Sequence, residues 1–309
     1  MSRRVRNILI AVLAVAALVA GVWLLSRGAD DFRDKYAGAD LSADVTGISR
    51  ENTYDAYLSA HGNAPEGKEE VAVDLAAFEG AGEMQAAGFL SPDEGETSWK
   101  VEVPAEGLYN IRLDYLTTGE SRGIDIEREV RINGELPFSG ASKLSFSRLW
   151  TDAGEVRTDN QGNEIRPSQV ETFDVQTAYF RDDMGSQTEP YAFFFKEGEN
   201  VITLKAVNEP MILCGMALTP IRKYPTYAEY AAAQPEAAMT DAGKNFSLKV
   251  QGESSKLRST PSLYARYDRS SSLTEPSSVT HTVLNYLGGD PWTHAGEWIE
   301  WDFEVQEDG

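Results

Sequence analysis

Trp99-Lys-Val-Glu-Val-Pro-Ala-Glu-Gly-Leu-Tyr-Asn-Ile-Arg-Leu-Asp-Tyr115 is the stretch whose pattern decides the fold class. Trp99, Val101 and Val103 alternate with polar residues, and Tyr109, Ile111, Leu113 and Tyr115 do the same, with Arg112 and Asp114 between them. A strand turns successive side chains to opposite faces, so each half reads as a strand with one buried face. Gly107 lies between the halves and reads as the turn of a hairpin.

The same pattern continues outward. Glu129-Val-Arg-Ile-Asn-Gly-Glu135 is a strand running into an Asn-Gly turn, the strongest short hairpin signal. Tyr191 to Lys196 and Val201 to Ala206 flank a turn at Glu197-Gly-Glu-Asn200. Met211 to Leu218 is an apolar run that reads as a buried strand and includes the single cysteine, Cys214, as a core residue. Asp159-Asn-Gln-Gly-Asn-Glu164 reads as a hairpin turn, because it lacks the glycine position and distal glutamate of a calcium loop. Many short strands with frequent turns predict an all-β sandwich. A short helix capped by Thr53 precedes it and stops near Gly62.

The chain also resembles itself. Thr53-Tyr-Asp-Ala-Tyr-Leu58 matches Thr226-Tyr-Ala-Glu-Tyr-Ala231, and Trp99 to Gly107 matches Trp301 to Gly309. Gly67-Lys68 with the apolar positions after it matches Gly243-Lys244 in the same order. Thr226 and Glu229 have the spacing of a capping box. The second copy stops at its equivalent of Gly107, so the expectation is a front portion of a longer protein. By alignment with Trp99, Trp301 is expected in a core.

At the N-terminus, Arg3, Arg4 and Arg6 precede an uncharged apolar run from Ile8 to Leu25. That run is just long enough for a membrane-spanning helix, with the following residues outside the cytoplasm. A cleavable signal peptide is the alternative. The predicted organisation is a membrane anchor at 1–28, a linker at 29–48, a sandwich module with its leading helix at 49–222, and a leading helix with the start of a second module at 223–309. The formal net charge of −21 disfavours nucleic acid and anionic lipid as partners. One cysteine excludes an internal disulfide.

Val103 to Tyr115, Val130-Arg-Ile-Asn-Gly134 and Phe195-Lys-Glu-Gly-Glu-Asn-Val-Ile-Thr-Leu204 resemble, in strand order, galactose-binding-domain-like jelly-roll sandwiches. The resemblance is to carbohydrate-binding modules of families 6 and 35, and to the N-terminal region of large extracellular solute-binding proteins of ABC sugar transporters. It implies a non-catalytic, membrane-anchored region that binds poly- or oligosaccharide beside a transporter permease. Such modules often hold structural calcium on an Ala-Glu pair in the first strand and an Asp in the last. Here Ala77-Phe78 and Cys214-Gly215 stand at those places, so no cofactor is expected in the first copy.

Sugar recognition needs flat apolar faces and planar hydrogen-bonding groups. The long connection from Phe146 to Tyr191 carries both types, in Arg148, Trp150, Tyr179, Arg181 and Asp182, with Asn163 and Gln169 nearby. Its length suggests a functional or partly folded excursion. Trp292 and Trp298 are similar candidates in the second copy. The three histidines, His61, His281 and His294, fall in no metal-ligand or catalytic spacing, and no carboxylate pair stands out. The alternatives are a structural spacer in a surface assembly, or an accessory module of a membrane-bound glycoside hydrolase.

Overall fold

The computed structural model describes residues 52–119, 123–233, 246–271, 273–288 and 292–305. The anticipated anchor at 1–28 and linker at 29–48 lie outside the described residues. Among the described residues, no helix is long and apolar enough to cross a membrane.

Helix α1 (Tyr54–Ala60) comes first, with Thr53 Oγ1 accepting from the Ala56 N–H at its start. The short strands β1 (Val71–Ala72), β2 (Phe78–Gly80), β3 (Glu83–Gln85) and β4 (Gly88–Ser91) follow. Next are the longer β5 (Glu96–Val103), β6 (Gly107–Thr117) and β7 (Ile126–Ile132), then β8 (Leu144–Phe146) and β9 (Leu149–Asp152). The long connection contains β10 (Arg157–Thr158), β11 (Glu164–Ile165), β12 (Gln169–Thr172) and β13 (Gln176–Tyr179). The strands β14 (Ala192–Phe195), β15 (Gly198–Asn208) and β16 (Met211–Thr219) complete the sandwich. Helix α2 (Tyr227–Ala233), β17 (Leu257–Arg258) and β18 (Ile299–Glu300) lie beyond it.

A five-stranded sheet in the order β2-β5-β15-β7-β8 faces a seven-stranded sheet with the path β13-β6-β16-β4-β3, where β1 pairs with β16 and β14 with β6. Both expected alternations hold: Trp99, Val101 and Val103 from one sheet and Tyr109, Ile111, Leu113 and Tyr115 from the other join a single core. The ring of Phe89 on β4 meets Trp99 edge-on at 5.2 Å across the two sheets. Burial of these apolar faces is the main force holding the layers together.

Two expected hairpins are not hairpins. β5 lies between β2 and β15, whereas β6 pairs with β13, β14 and β16 in the opposite sheet. Pro104 has no N–H to continue a ladder, and the start of β6 is taken by the preceding chain. Gly67 N–H donates to Leu108 O at 2.9 Å, and Leu108 N–H to Pro65 O at 2.9 Å. The segment Pro104–Glu106 therefore crosses between sheets. The turn at 197–200 does the same, carrying β14 of one sheet into β15 of the other.

The Asn-Gly turn has the expected backbone, with φ of 54° at Asn133 and 84° at Gly134. Its return strand is only a bridge at Glu135, and β8 pairs farther back along β7. Asn133 also ties the turn to β15, with Oδ1 accepting from Val201 N–H at 2.9 Å and Nδ2 donating to Asn200 Oδ1 at 3.0 Å. Replacing Asn133 by Ala should lower unfolding stability by about 1–2 kcal/mol in urea titration, from the left-handed backbone and the lost hydrogen bonds together. Asn133→Gly should recover only the backbone part.

Helix α1 has a role that the sequence does not announce. The hydroxyls of Tyr54 and Tyr57 accept the N–H groups of Ala192 (2.8 Å) and Phe194 (2.7 Å). The helix thus covers the free edge of β14, which would otherwise expose unpaired donors. The His61 ring, at the helix end, stacks on Phe194 at 4.4 Å. The equivalent Tyr227 and Tyr230 of α2 are exposed, although the Thr226–Glu229 capping box forms as anticipated.

Residues 246–305 carry only the two short strands β17 and β18 among the described residues. Phe246, Leu248 and Val250 lie outside any strand and are exposed, and Trp301, unlike Trp99, is half-buried. Through the pairing of Arg258 with Trp150, β17 extends a sheet ordered β12-β9-β17-β18. The long connection after Phe146 is therefore folded, and shares a sheet with the chain's C-terminal part.

Candidate functional site

A concavity of about 940 Å³ opens where these two parts meet. One wall is β13 with Gln176, Thr177 and Tyr179. A second is the loop Arg181–Met184, and the third is chain from Leu257 to Ser262 and Thr293 to Glu300. Lys143, Glu127 and Arg222 close the rim.

Tyr179 enters the cleft because β13 pairs with β6, placing Tyr179 opposite Arg112. The ring is half-buried, and the Arg222 guanidinium lies 5.4 Å from its centre. Arg222 is held by its own backbone, whose N–H donates to Asn110 Oδ1 at 2.7 Å. Opposite, Trp298 is half-buried and fixed by hydrogen bonds of its N–H and C=O with Ser259. Tyr179 and Trp298 thus line one cleft together with Arg181, Arg222 and Gln176.

Asp182 organises the adjoining loop. One or other of its oxygens accepts the N–H groups of Met184 (3.1 Å), Gln187 (3.0 Å) and Ser186, and the Tyr191 hydroxyl at 3.3 Å. Partial burial opposes its ionisation, but these donors hold its pKa below the usual carboxylate range. Asp182 therefore sets where Arg181, which is exposed, stands in the cleft.

Of the five residues singled out from the sequence, Tyr179, Arg181 and Asp182 line the cleft, and Arg148 and Trp150 do not. The Arg148 side chain is only 1% exposed. Its Nη1 and Nη2 pair with Glu171 (2.8 Å) and Glu209 (2.9 Å), and its Nε donates to Ile124 O at 2.7 Å. Each of its three nitrogens donates internally and the side chain is enclosed, so it is a buried strut. Trp150 is half-buried in β9 between Glu171 of β12 and Arg258 of β17. Trp292 is exposed and also outside the cleft. Arg222 and the Ser259–Ser262 segment escaped the sequence reading, because they reach the cleft only through long-range pairing.

Cys214, expected in the core, is half-buried. The pairing of β16 with β6 slips between Leu213 and Gly215, so Cys214 is the extra residue of a bulge. Burial and the charge of Asp114 raise its thiol pKa, which keeps it unreactive. The calcium place of the resembled modules does not fit a calcium ion. Phe78 packs on Phe89 at 4.7 Å and Cys214 offers sulfur, so these side chains supply none of the oxygen ligands calcium takes. Among the described residues, no three His, Cys, Asp or Glu side chains are placed to hold a metal.

No protein-family model matches this sequence, and no curated protein matches it. Solved structures similar to it include the following two. One is the GH26-CBM35 β-(1,4)-mannanase of Podospora anserina, with a TM-score of 0.29 and 10% identity, over 51% of this chain and 29% of that one. The other is a family 35 carbohydrate-binding module from Clostridium thermocellum, with a TM-score of 0.28 and 14% identity, over 49% of this chain and 99% of that one. The chain thus spans under a third of the mannanase's length.

Proposed function

We propose that the cleft between β13 and Trp298 binds oligo- or polysaccharide without cleaving it. In this reading, residues 1–28 hold the chain at a membrane as a single-pass anchor and the rest stands outside the cytoplasm. The chain then serves as a glycan-capturing region of a sugar-uptake solute-binding protein, next to an ABC transporter permease. The observation that carries the binding reading is the cleft's composition. Tyr179 and Trp298 supply aromatic rings for sugar C–H groups, and Arg181, Gln176 and Thr260, which line the same cleft, supply planar donors and a hydroxyl.

Affinity gels and a glycan array on the whole chain test it. Tyr179→Ala and Trp298→Ala should each weaken retention of the bound glycan about tenfold or more, the loss of a stacked ring being about 1–2 kcal/mol. Trp150→Ala should leave retention unchanged, because Trp150 does not line the cleft. Retention that ignores both cleft variants would sink the reading.

A further inference from the structure

A second concavity, of about 450 Å³, lies away from the cleft and shares none of its residues. Three segments build it. Glu164 N–H donates to Thr282 O at 2.9 Å, and Leu284 N–H to Glu164 Oε2 at 2.7 Å, which docks β11 against 282–284. Arg266 N–H donates to Tyr286 O at 2.9 Å, which closes the third side. These bonds fix the backbone that carries Arg166, Tyr264, Arg266, Tyr267 and Tyr286.

Its charge is opposite to that of the protein, whose formal net charge is −21. The Arg166 guanidinium lies 3.5 Å from the centre of the Tyr264 ring, and the Arg266 guanidinium lies 4.6 Å from that same centre. A third, Arg269, stands at the rim with Nη2 donating to Thr282 Oγ1 at 3.2 Å. Among the described residues, none of the three forms an ion pair with a carboxylate. Glu164 lines the pocket, but one of its oxygens is taken by Leu284 N–H; both oxygens of Asp268 are taken by Ser270. The Nε of Arg266 is buried with no hydrogen-bond acceptor. An unmet charged donor is unfavourable, and an anion in the pocket that Arg166 also lines offsets its charge.

We propose that this pocket binds a tetrahedral oxyanion carried as a sulfate or phosphate monoester. Two guanidinium forks present more donors than the two oxygens of a carboxylate take up, and they match the three free oxygens of such an ester. The half-exposed rings of Tyr267 and Tyr286 border the pocket where the group carrying the ester emerges. The overall negative charge does not forbid this, since charges beyond roughly 8 Å are screened at physiological ionic strength whereas the two guanidiniums act in contact.

Calorimetric titration of the whole chain at physiological ionic strength tests the site, with inorganic phosphate, inorganic sulfate and acetate as probes. Saturable one-to-one binding of phosphate and sulfate is expected, with acetate at least tenfold weaker. Arg266→Gln and Arg166→Gln should each weaken it at least tenfold. Arg166 is exposed, so its variant should keep the parent's unfolding midpoint and separate ligand loss from misfolding. Glucose 6-phosphate against glucose 6-sulfate then distinguishes the two ester sources. Absence of saturable binding, acetate equal to sulfate, or binding that survives both glutamine variants would overturn the proposal. Tyr179→Ala and Trp298→Ala should not change phosphate binding, so failure of the cleft reading and failure of this one are distinguishable.

Discussion

Arg148→Met is expected to destabilise the chain by about 3–5 kcal/mol, read as a lower urea midpoint with an unchanged slope. The side chain is enclosed, and both its ion-pair partners are also covered, Glu209 at 2% and Glu171 at 13% side-chain exposure. Removing the guanidinium leaves two carboxylates without their counter-charge, and the Ile124 carbonyl loses its donor. Methionine fills the space, so the loss measures electrostatics and hydrogen bonding more than a cavity. A deficit under 1 kcal/mol would show that Arg148 is not the strut described.

The second large effect is expected at Arg258. Its side chain has no exposure, and it grips Asp152 with two bonds of 2.8 and 2.9 Å. It also donates to Ser255 Oγ at 2.7 Å and to the Gln169 side-chain oxygen. These bonds join β17 to β9 and β12, so Arg258→Met should cost about 3 kcal/mol and release the segment around 255–300. Proteinase K should then cut that segment at least tenfold faster than in the parent, while the sandwich resists. Partial burial works against the Asp152 charge, yet the Arg258 and Gln169 hydrogen bonds hold its pKa below the ordinary value. With the folded pKa depressed, this contribution is complete above the unfolded value of about 3.9 and fades as pH falls through the folded one. Asp152→Asn should lack that acid-side loss. Equal protease resistance in parent and Arg258→Met would refute the clamp.

Both predictions concern residues whose roles were not legible from local sequence. Arg148 has the chemistry of a sugar ligand, and only its enclosure by Glu171 and Glu209 makes it a strut. The match of Trp301 to Trp99 gave no sign that the later residues would extend a sheet begun by β9. Tyr179, Arg181 and Asp182 were named by residue type alone, and the structure places them on one cleft. Arg222 and Trp298 complete that cleft through contacts that no spacing along the chain encodes.

The sequence by itself determined what depends on neighbours along the chain. The alternation at 99–103 and 109–115, the capping box of Thr226 and Glu229, the left-handed Asn133–Gly134 turn and the Asp159–Glu164 hairpin are all local physics. Side-chain direction, capping and φ are fixed within a few residues, so they could be read directly. The tertiary structure alone decided which edges pair: why β5 and β6 part into opposite sheets, why Tyr54 and Tyr57 seal β14, and which arginines are enclosed. Edge occupancy and burial are properties of the assembled layers. A strand carries the same alternation whichever neighbour takes its hydrogen bonds, and an arginine is a ligand or a strut according to what closes over it.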